Sequence, residues 1–231
     1  MKLGVMLPSF SWTAQGALDL AAEAAEVGID GVFCYDHLWP MGNPARPALA
    51  PFPLLGVVAQ RHPSLIVSPL VARIGLVADH VLLSQFAALS LLAEGRLLAA
   101  MGTGDHLSRH ENLAYGIDFA PADARRDELR QVAATLLDRG VEVWIGGGAP
   151  ATVAIARDLR CTVNLWAASV EEVANQAAST PVSWAGLAPT EDHDLRQLLG
   201  DLDEAGATWA VFGEVRDPSR LIRAAHDAAQ G

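Results

Sequence analysis

The sequence is poor in positive charge. Lys2 is its only lysine, and 16 basic residues face 27 acidic ones, which gives a formal net charge of −11 over 231 residues. An acidic surface repels nucleic acid and anionic lipid, so neither is expected as a partner. Any bound anion would have to be held by local arginines or by backbone N–H groups.

The sequence also has few cysteines and no long apolar segment. Cys34 and Cys161 both lie in apolar stretches, which predicts two buried free thiols and a reducing compartment. No apolar run is long enough to span a bilayer. The N-terminal stretch MKLGVMLPSF is too short for a signal peptide and is broken by Pro8, so we expect a cytoplasmic location.

What the chain does contain is a regular alternation of short apolar runs and segments with helical spacing. The predicted strands cover residues 3–7, 31–35, 64–68, 96–102, 141–146, 162–166, 181–186 and 208–213. The predicted helices cover residues 14–27, 51–61, 81–93, 123–139, 150–159, 170–178, 192–205 and 218–229.

Eight strand–helix units in a row predict an α/β protein with a parallel sheet covered by helices. The count favours a (β/α)8 TIM barrel, with an open doubly wound sheet as the alternative. No linker is apparent, and the proline-rich stretch from Pro40 to Pro53 reads as a loop inside the fold. We therefore expect residues 1–231 to form a single domain.

Small and polar residues gather where the predicted strands end. In a parallel barrel the active site lies at the carboxyl ends of the strands, so these residues are expected to share one rim. They are Asp36 and His37 after the second strand, Ser68 and Pro69 at the third, residues 102–106 after the fourth, residues 146–150 after the fifth, and Asn164 in the sixth.

His37 is the first candidate for chemistry. An imidazole can carry a proton near neutral pH, and the adjacent carboxylate of Asp36 can fix its orientation. The same dipeptide is compatible with a histidine that ends a strand and bonds a backbone carbonyl, and the residues alone leave both interpretations open.

The run GGGAP, residues 146–150, indicates an anion site. Glycines let the backbone approach a ligand closely, and Pro150 suits the first turn of a helix whose free N–H groups can bind phosphate. A tight turn without a ligand is the alternative. Gly146, Gly148 and Ala151 also match the spacing of a dinucleotide fingerprint. However, this strand is the fifth, and no acidic residue follows the next strand to bind a ribose.

His106 and His110 are spaced so that one face of a helix could carry both. The segment lacks the HExxH order, no third ligand stands out, and Arg109 lies between the two histidines. No metal site is predicted.

The order of the motifs resembles a known family. The segments are YDHLWP, HPSLIVSP, GRLLAAMGTGDH followed by LAYGIDF, VEVWIGGGAP and NLW, and they extend from Met1 to about Trp166. Together they are similar to the bacterial luciferase-like flavin and deazaflavin oxidoreductases. The closest likeness is to the branch that uses coenzyme F420, in which Asp-His after the second strand is common.

The resemblance implies a (β/α)8 barrel, often dimeric, with the cofactor at the C-terminal mouth. His37 would face the reacting ring carbon as proton acceptor or donor, with Asp36 near the ring. The peptide bond between Leu70 and Val71 would be cis, in the bulge behind the ring. The implied cofactor contacts are Ser68, Leu70, Val71, Thr103, Gly104, Asp105, Gly146, Gly147, Gly148, Pro150 and Asn164, with Gly147, Gly148 and Pro150 at the phosphate.

The sequence departs from the family pattern in two places. The long insertion usual after the fourth helix is missing, since residues 137–140 lead directly into the fifth strand. The usual A-D-G-W before the sixth-strand site is replaced by residues 160–163.

The expected function is an oxidoreductase that moves a hydride between coenzyme F420 and an organic small molecule, in a monomer or a homodimer. The alternatives are an FMN-dependent monooxygenase and a non-catalytic flavin- or deazaflavin-binding protein. Because the missing insertion leaves the mouth open to water, dehydrogenase or reductase chemistry is expected over oxygenation.

Overall fold

The structure is a computed structural model that describes residues 1–40 and 42–230. Its strands are β1 (Lys2–Met6), β2 (Gly31–Cys34), β3 (Ile66–Pro69), β4 (Ala72–Arg73), β5 (Leu98–Gly102), β6 (Glu142–Gly146), β7 (Thr162–Trp166), β8 (Val182–Leu187) and β9 (Ala207–Gly213). Its helices are α1 (Gln15–Val27), α2 (Pro51–Arg61), α3 (Asp79–Ala93), α4 (His106–Ala114), α5 (Ala122–Asp138), α6 (Pro150–Leu159), α7 (Val170–Ala177), α8 (Asp192–Glu204) and α9 (Ser219–Ala228).

The predicted elements are confirmed, with ends that agree to within two residues. Two elements were not predicted. One is the short strand β4, and the other is α4, whose buried residues are the polar Ser108, Glu111 and Asn112. Hydrophobic periodicity cannot reveal a helix whose buried face is polar, because the pattern depends on apolar side chains.

The strands form one parallel sheet in the order β3-β2-β1-β9-β8-β7-β6-β5-β4. The strands at its two ends, β3 and β4, are consecutive in the chain and are joined by Leu70 and Val71. A bridge between Val67 and Leu97 links β3 to the start of β5 as well. The sheet therefore closes on itself, and β3 and β4 together occupy one of eight places in a (β/α)8 barrel, as predicted.

Large aromatic rings fill the interior of the barrel. The ring centroids of Phe33, Trp144 and Trp209 lie 5.6 to 5.8 Å apart. Two glycines make room for them, because a Cβ on Gly4 would lie 2.5 Å from the Phe33 ring and one on Gly31 would lie 3.1 Å from the Trp209 ring. The interior is thus a packed core, and only the mouth is left for a ligand.

A second, larger core lies between the sheet and the helices, and it contains both cysteines, which are buried and free as predicted. The chain runs from α5 to β6 through residues 139–141 only, so the long insertion is missing from the structure too. None of the described helices has the length and apolar character needed to cross a membrane.

Candidate active site

The candidate residues lie at the carboxyl ends of five neighbouring strand positions of the barrel. These are β2, the β3–β4 strand, β5, β6 and β7, each hydrogen-bonded to the next. Closure of the barrel brings them onto one rim, as the sequence predicted. Two further residues that were not predicted, Arg73 and Glu111, join them there.

The side chain that orients His37 is Glu111. The imidazole Nδ1 lies 2.8 Å from Oε1 of Glu111, which is 2% exposed, whereas the His37 side chain is 24% exposed. A buried carboxylate at Nδ1 fixes the tautomer and leaves Nε2 to exchange a proton with a ligand. The expectation that the adjacent Asp36 would orient the imidazole is corrected by this contact.

Arg73 is the centre of a buried charge network. Its Nη1 lies 2.6 Å from Oε2 of Glu111, and both side chains are almost fully buried. Within the described residues, none of the three guanidinium nitrogens makes a hydrogen bond of good geometry, so the guanidinium acts on Glu111 mainly through its charge. The backbone N–H of Arg73 donates to Oδ2 of Asp36 at 2.9 Å.

The two carboxylates of this network have opposite pKa shifts. Burial raises the pKa of Asp36, and this effect outweighs the lowering by the Arg73 N–H group and by the charges of Arg73 and His37. Burial also acts on Glu111, but the hydrogen bond and charge of His37 and the guanidinium of Arg73 lower its pKa below the ordinary value. Glu111 therefore stays ionised beside His37.

Nothing in the sequence singles out Glu111 or Arg73 as a site residue. Glu111 belongs to the helix that periodicity does not reveal, and Arg73 is one arginine among many. The available signal is their position, since both follow strands whose ends are predicted to face the same rim.

The bulge between β3 and β4 presses against two glycines. The peptide bond between Leu70 and Val71 is cis, as the resemblance implied. A Cβ on Gly102 would lie 2.7 Å from Val71 Cγ2, and a Cβ on Gly146 would lie 2.6 Å from Val71 Cγ1. The side chain of Val71 therefore occupies the mouth between β5 and β6 because both strands end in glycine.

The glycine-rich turn after β6 leads into an open helix start. Gly147 has a φ of +122°, which side-chain-bearing residues rarely adopt, and its N–H donates to the carbonyl of Asn164. The next helix, α6, begins with Pro150 at its first turn, and no side chain caps it at Ala149. Pro150 has no N–H group, and the Thr152 N–H donates to the carbonyl of Ala149 at 2.9 Å, so among the described residues of this first turn it is the Ala151 N–H that is left for an anion.

The turn after β5 is held by side chains. Arg125 donates to the carbonyl oxygens of Thr103 and Gly104. Asp105 caps α4 by accepting from the N–H groups of its second and third residues. Burial opposes the shift, but these bonds and the Ser108 hydroxyl together lower the pKa of Asp105. The carboxylate predicted to border the cofactor is thus already engaged in fixing the turn.

Two other candidates are buried at the strand ends. Asn164 is 4% exposed, and its Nδ2 donates to the Ser183 hydroxyl at 3.0 Å. Ser68 is fully buried, and its hydroxyl donates to the carbonyl of Pro69 at 2.7 Å. Both already have protein partners, so their predicted role as cofactor contacts stays a prediction.

Aromatic side chains border His37 at the mouth. Phe10 stacks on Tyr35 with ring centroids 5.4 Å apart, and Trp166 meets Tyr35 edge-on at 5.8 Å. The centroid of the His37 ring lies 6.2 Å from that of Phe10 and 6.4 Å from that of Tyr35. We call Phe10, Tyr35 and Trp166 the aromatic wall.

The paired histidines of α4 do not form a site with other ligands. His106 and His110 are both exposed, while Glu111 between α4 and the barrel is buried. Among residues 1–40 and 42–230 no group of three or more His, Cys, Asp or Glu side chains could hold a metal.

Together the features define a parallel (β/α)8 barrel with a histidine–carboxylate pair, a bulged strand and a glycine-rich turn at its mouth. Residues 1–208 match the family described as luciferase-like monooxygenase, and the chain belongs to that family.

Two curated relatives are F420-dependent glucose-6-phosphate dehydrogenases. The one from Microbacterium testaceum (strain StLB037) is 27% identical over 147 residues, which are 63% of this chain and 42% of the relative. The one from Nakamurella multipartita is 36% identical over 92 residues, which are 39% of this chain and 27% of the relative. The chain thus spans less than half the length of the curated relatives it matches.

Solved structures share the fold. An F420-dependent secondary alcohol dehydrogenase in complex with an F420-acetone adduct has a TM-score of 0.82 at 13% identity, and the match covers all of this chain and 99% of that one. A coenzyme F420-dependent tetrahydromethanopterin reductase from Methanopyrus kandleri has a TM-score of 0.74 at 11% identity over 96% of this chain and 97% of that one.

Proposed function

We propose that this protein is an oxidoreductase that transfers a hydride between coenzyme F420 and an organic small molecule. The observation that carries the proposal is the His37–Glu111 pair at the mouth of a luciferase-like barrel. The curated relatives, both named as F420-dependent dehydrogenases, support the choice of cofactor.

The residues at the rim fit such a cofactor. The turn at Gly147 and Gly148 and the uncapped start of α6 would hold its phosphate, through the N–H groups of Gly148 and Ala151. The bulge at Leu70 and Val71 would support the ring, and Thr103 would border it. When bound, the deazaflavin supplies the hydride chemistry, because no protein side chain can accept or donate a hydride.

The proposed role of His37 is to move the proton that accompanies the hydride. Its Nε2 would accept the proton of a substrate hydroxyl, or donate one to a carbonyl oxygen in reverse. Glu111 is a positioning residue that holds the imidazole at Nδ1, and Arg73 keeps Glu111 ionised. We infer that Asp36 supports the bulge from behind, through its bond to the N–H of Arg73.

We infer dehydrogenase or reductase chemistry over oxygenation. The missing insertion does not bear on this choice, because residues 139–141 lead into the amino end of β6, at the face of the barrel opposite the mouth. This corrects the expectation that its absence leaves the mouth open to water. The curated relatives, both named as F420-dependent dehydrogenases, support hydride transfer, and substrate-dependent oxygen uptake with reduced FMN would contradict it.

We also infer that residues 1–231 are one domain that forms a cytoplasmic homodimer. The single sheet supports one domain. Two residues of this range, Met41 and Gly231, lie outside the described residues. The two free buried cysteines support a reducing compartment.

The proposal of a homodimer rests on an apolar surface. The outer faces of α2 and α3 expose Val57, Val81, Leu91 and Leu92, with Leu91 81% exposed. Apolar side chains in such number support a second copy, and a monomer in sedimentation equilibrium would contradict it.

The deciding experiment is a titration of the purified protein with F420 and with FMN in separate samples. Saturable quenching of F420 fluorescence, with weaker or no response to FMN, is the expected result. Equal or tighter binding of FMN would favour the monooxygenase alternative. Binding of neither cofactor would reject the proposed function.

A further inference from the structure

The substrate of the proposed reaction must lie against the aromatic wall. Proton exchange requires the reacting oxygen to be within hydrogen-bond reach of His37 Nε2, about 2.6–3.2 Å. The centroids of Phe10 and Tyr35 lie only 6.2 and 6.4 Å from that of the imidazole. A group attached to the reacting carbon would therefore touch one or both rings.

The far end of the wall is open and apolar. Trp166 comes from β7, which is opposite β2 in the barrel, yet its ring meets Tyr35 across the mouth. Trp166 is 47% exposed, and Leu187 at the end of β8 is 56% exposed. Both side chains are exposed apolar surface at the mouth, so they are available to cover an apolar substituent of a ligand.

The fixed charges near the wall are negative. Glu111 is ionised beside His37. Glu214 follows β9 and lies near Tyr35. Burial, and secondly the charge of Glu214, raise the pKa of Tyr35 to about 12. The buried arginines are engaged, Arg73 with Glu111 and Arg125 with backbone carbonyls.

The other basic residues on the loops around the mouth do not alter this picture. Arg46 lies in the loop after β2, Arg109 in α4 and Arg216 in the loop after β9, and all three residues are exposed. A phosphorylated or carboxylated substrate at His37 would meet carboxylates on the protein and no buried cation held ready for it in the described part of the chain.

We propose that the substrate is an uncharged alcohol, or the matching carbonyl compound, that carries an aromatic ring which packs against Phe10, Tyr35 and Trp166. This inference rests on the proposed function. In the oxidative direction the C–H and O–H bonds of the carbinol break and a C=O bond forms. The hydride would go to F420 held at the mouth, and the hydroxyl proton would go to Nε2 of His37, so atoms and electrons balance.

The test compares three substrates with the F420-loaded protein: 1-phenylethanol, 2-propanol and glucose 6-phosphate. The loss of F420 absorbance gives kcat and KM, and calorimetry gives the affinity for acetophenone without relying on turnover. We expect the highest kcat/KM with 1-phenylethanol and no saturation with glucose 6-phosphate. A higher kcat/KM with glucose 6-phosphate, or equal values for the two alcohols, would overturn the substrate assignment.

Trp166 provides the matched variants. Because its side chain is nearly half exposed, Trp166→Ala should fold normally, which thermal unfolding checks. Loss of one aromatic contact should raise KM for 1-phenylethanol and Kd for acetophenone by about fivefold to tenfold. KM for 2-propanol should change little, and Trp166→Phe should restore most of the affinity. An unchanged Kd for acetophenone in Trp166→Ala would reject the wall as the binding surface.

The outcomes separate the two claims. If F420 does not bind, the proposed function fails, and the substrate inference fails with it. If F420 binds and another substrate class is turned over, only the substrate inference fails. If F420 binds but none of the three substrates reacts and acetophenone does not bind, the substrate inference is again rejected, while the cofactor assignment survives.

Discussion

His37 Nδ1 lies 2.8 Å from Glu111 Oε1, although 74 positions of the chain separate the two residues. His37 follows β2 and Glu111 lies in α4, so this contact joins the segments that follow two different strands, β2 and β5. The imidazole is thereby held from below by a buried carboxylate, and its other nitrogen is free to meet a ligand. The tautomer and orientation of His37 consequently depend on Glu111 in α4, the helix that follows β5.

Replacing His37 by alanine should remove the proton-transfer group and leave the cofactor site in place. We expect turnover to fall by about two to four orders of magnitude, the usual contribution of general acid–base catalysis. The Kd for F420, measured by fluorescence, should change little. A collapse of cofactor affinity would show instead that His37 is a binding residue.

Glu111→Gln should cost stability as well as activity. It leaves the charge of Arg73 buried and unpaired, and breaking a buried pair in this way costs about 3–5 kcal/mol. The free energy of unfolding in urea measures the loss. His110→Gln, on the exposed side of the same helix, is the control and should change stability by less than about 0.5 kcal/mol.

The double variant Glu111→Gln/Arg73→Met extends this test. It removes both charges, so it should be more stable than Glu111→Gln alone. If the double variant is the less stable of the two, the guanidinium is not the source of the penalty.

Asp36→Asn should stabilise the protein at neutral pH. The pKa of Asp36 is raised above 3.8 in the folded state, so ionisation of this residue opposes folding once the pH exceeds that value. The gain in free energy of unfolding should be greatest at pH values above the folded-state pKa and should vanish below 3.8, where Asp36 is protonated in both states.

The pH series needs comparison with the parent protein at every pH. The lowered pKa of Glu111 has the opposite effect, since its stabilisation is present above 4.5 and is lost as the pH falls through the folded-state pKa. Both parent and variant contain Glu111, so the comparison at each pH separates the effect of Asp36 from this background. A variant less stable than the parent at pH 7 would contradict the prediction.

Gly148→Asp should weaken cofactor binding through its charge. A Cβ at Gly148 would meet nothing nearer than Leu165 Cδ2 at 3.7 Å, so a side chain can be accommodated there. A carboxylate beside the open start of α6 would repel the cofactor phosphate. Gly148→Ala is the matched control and should bind F420 nearly as tightly as the parent. Equal affinities of the parent and both variants for F420 would show that the cofactor phosphate does not bind at this turn.

Gly146→Ala should destabilise the bulge, because its methyl group would lie 2.6 Å from Val71 Cγ1. Overpacking of this kind costs about 1–3 kcal/mol. The added substitution Val71→Ala should restore part of the loss by opening space. Gly200→Ala is the control, since nothing lies within 4 Å of that position on α8, and it should stabilise by about 0.5–1 kcal/mol. Thermal unfolding compares the four proteins.

Much of the fold follows from the sequence, because the repeated change from strand to helix period is a local property. Each short apolar run fits a strand buried on both faces, and each helical segment carries one apolar stripe. The rim residues follow from the same reasoning, since parallel strands end on the same side. His37, Gly102 and the turn at Gly147 could therefore be placed at the mouth without coordinates.

What only the tertiary structure decided is which of these residues meet. The pairing of His37 with Glu111 and the contact of Tyr35 with Trp166 join parts of the chain that are distant in sequence. Both contacts exist because the sheet closes where β3 meets β4 and β5, which brings β2 near the helix that follows β5 and sets β2 opposite β7. The buried face of α4 is polar, and polar residues follow no hydrophobic period. The role of Glu111 therefore follows only from the closed barrel, which brings its carboxylate within hydrogen-bond distance of the His37 imidazole.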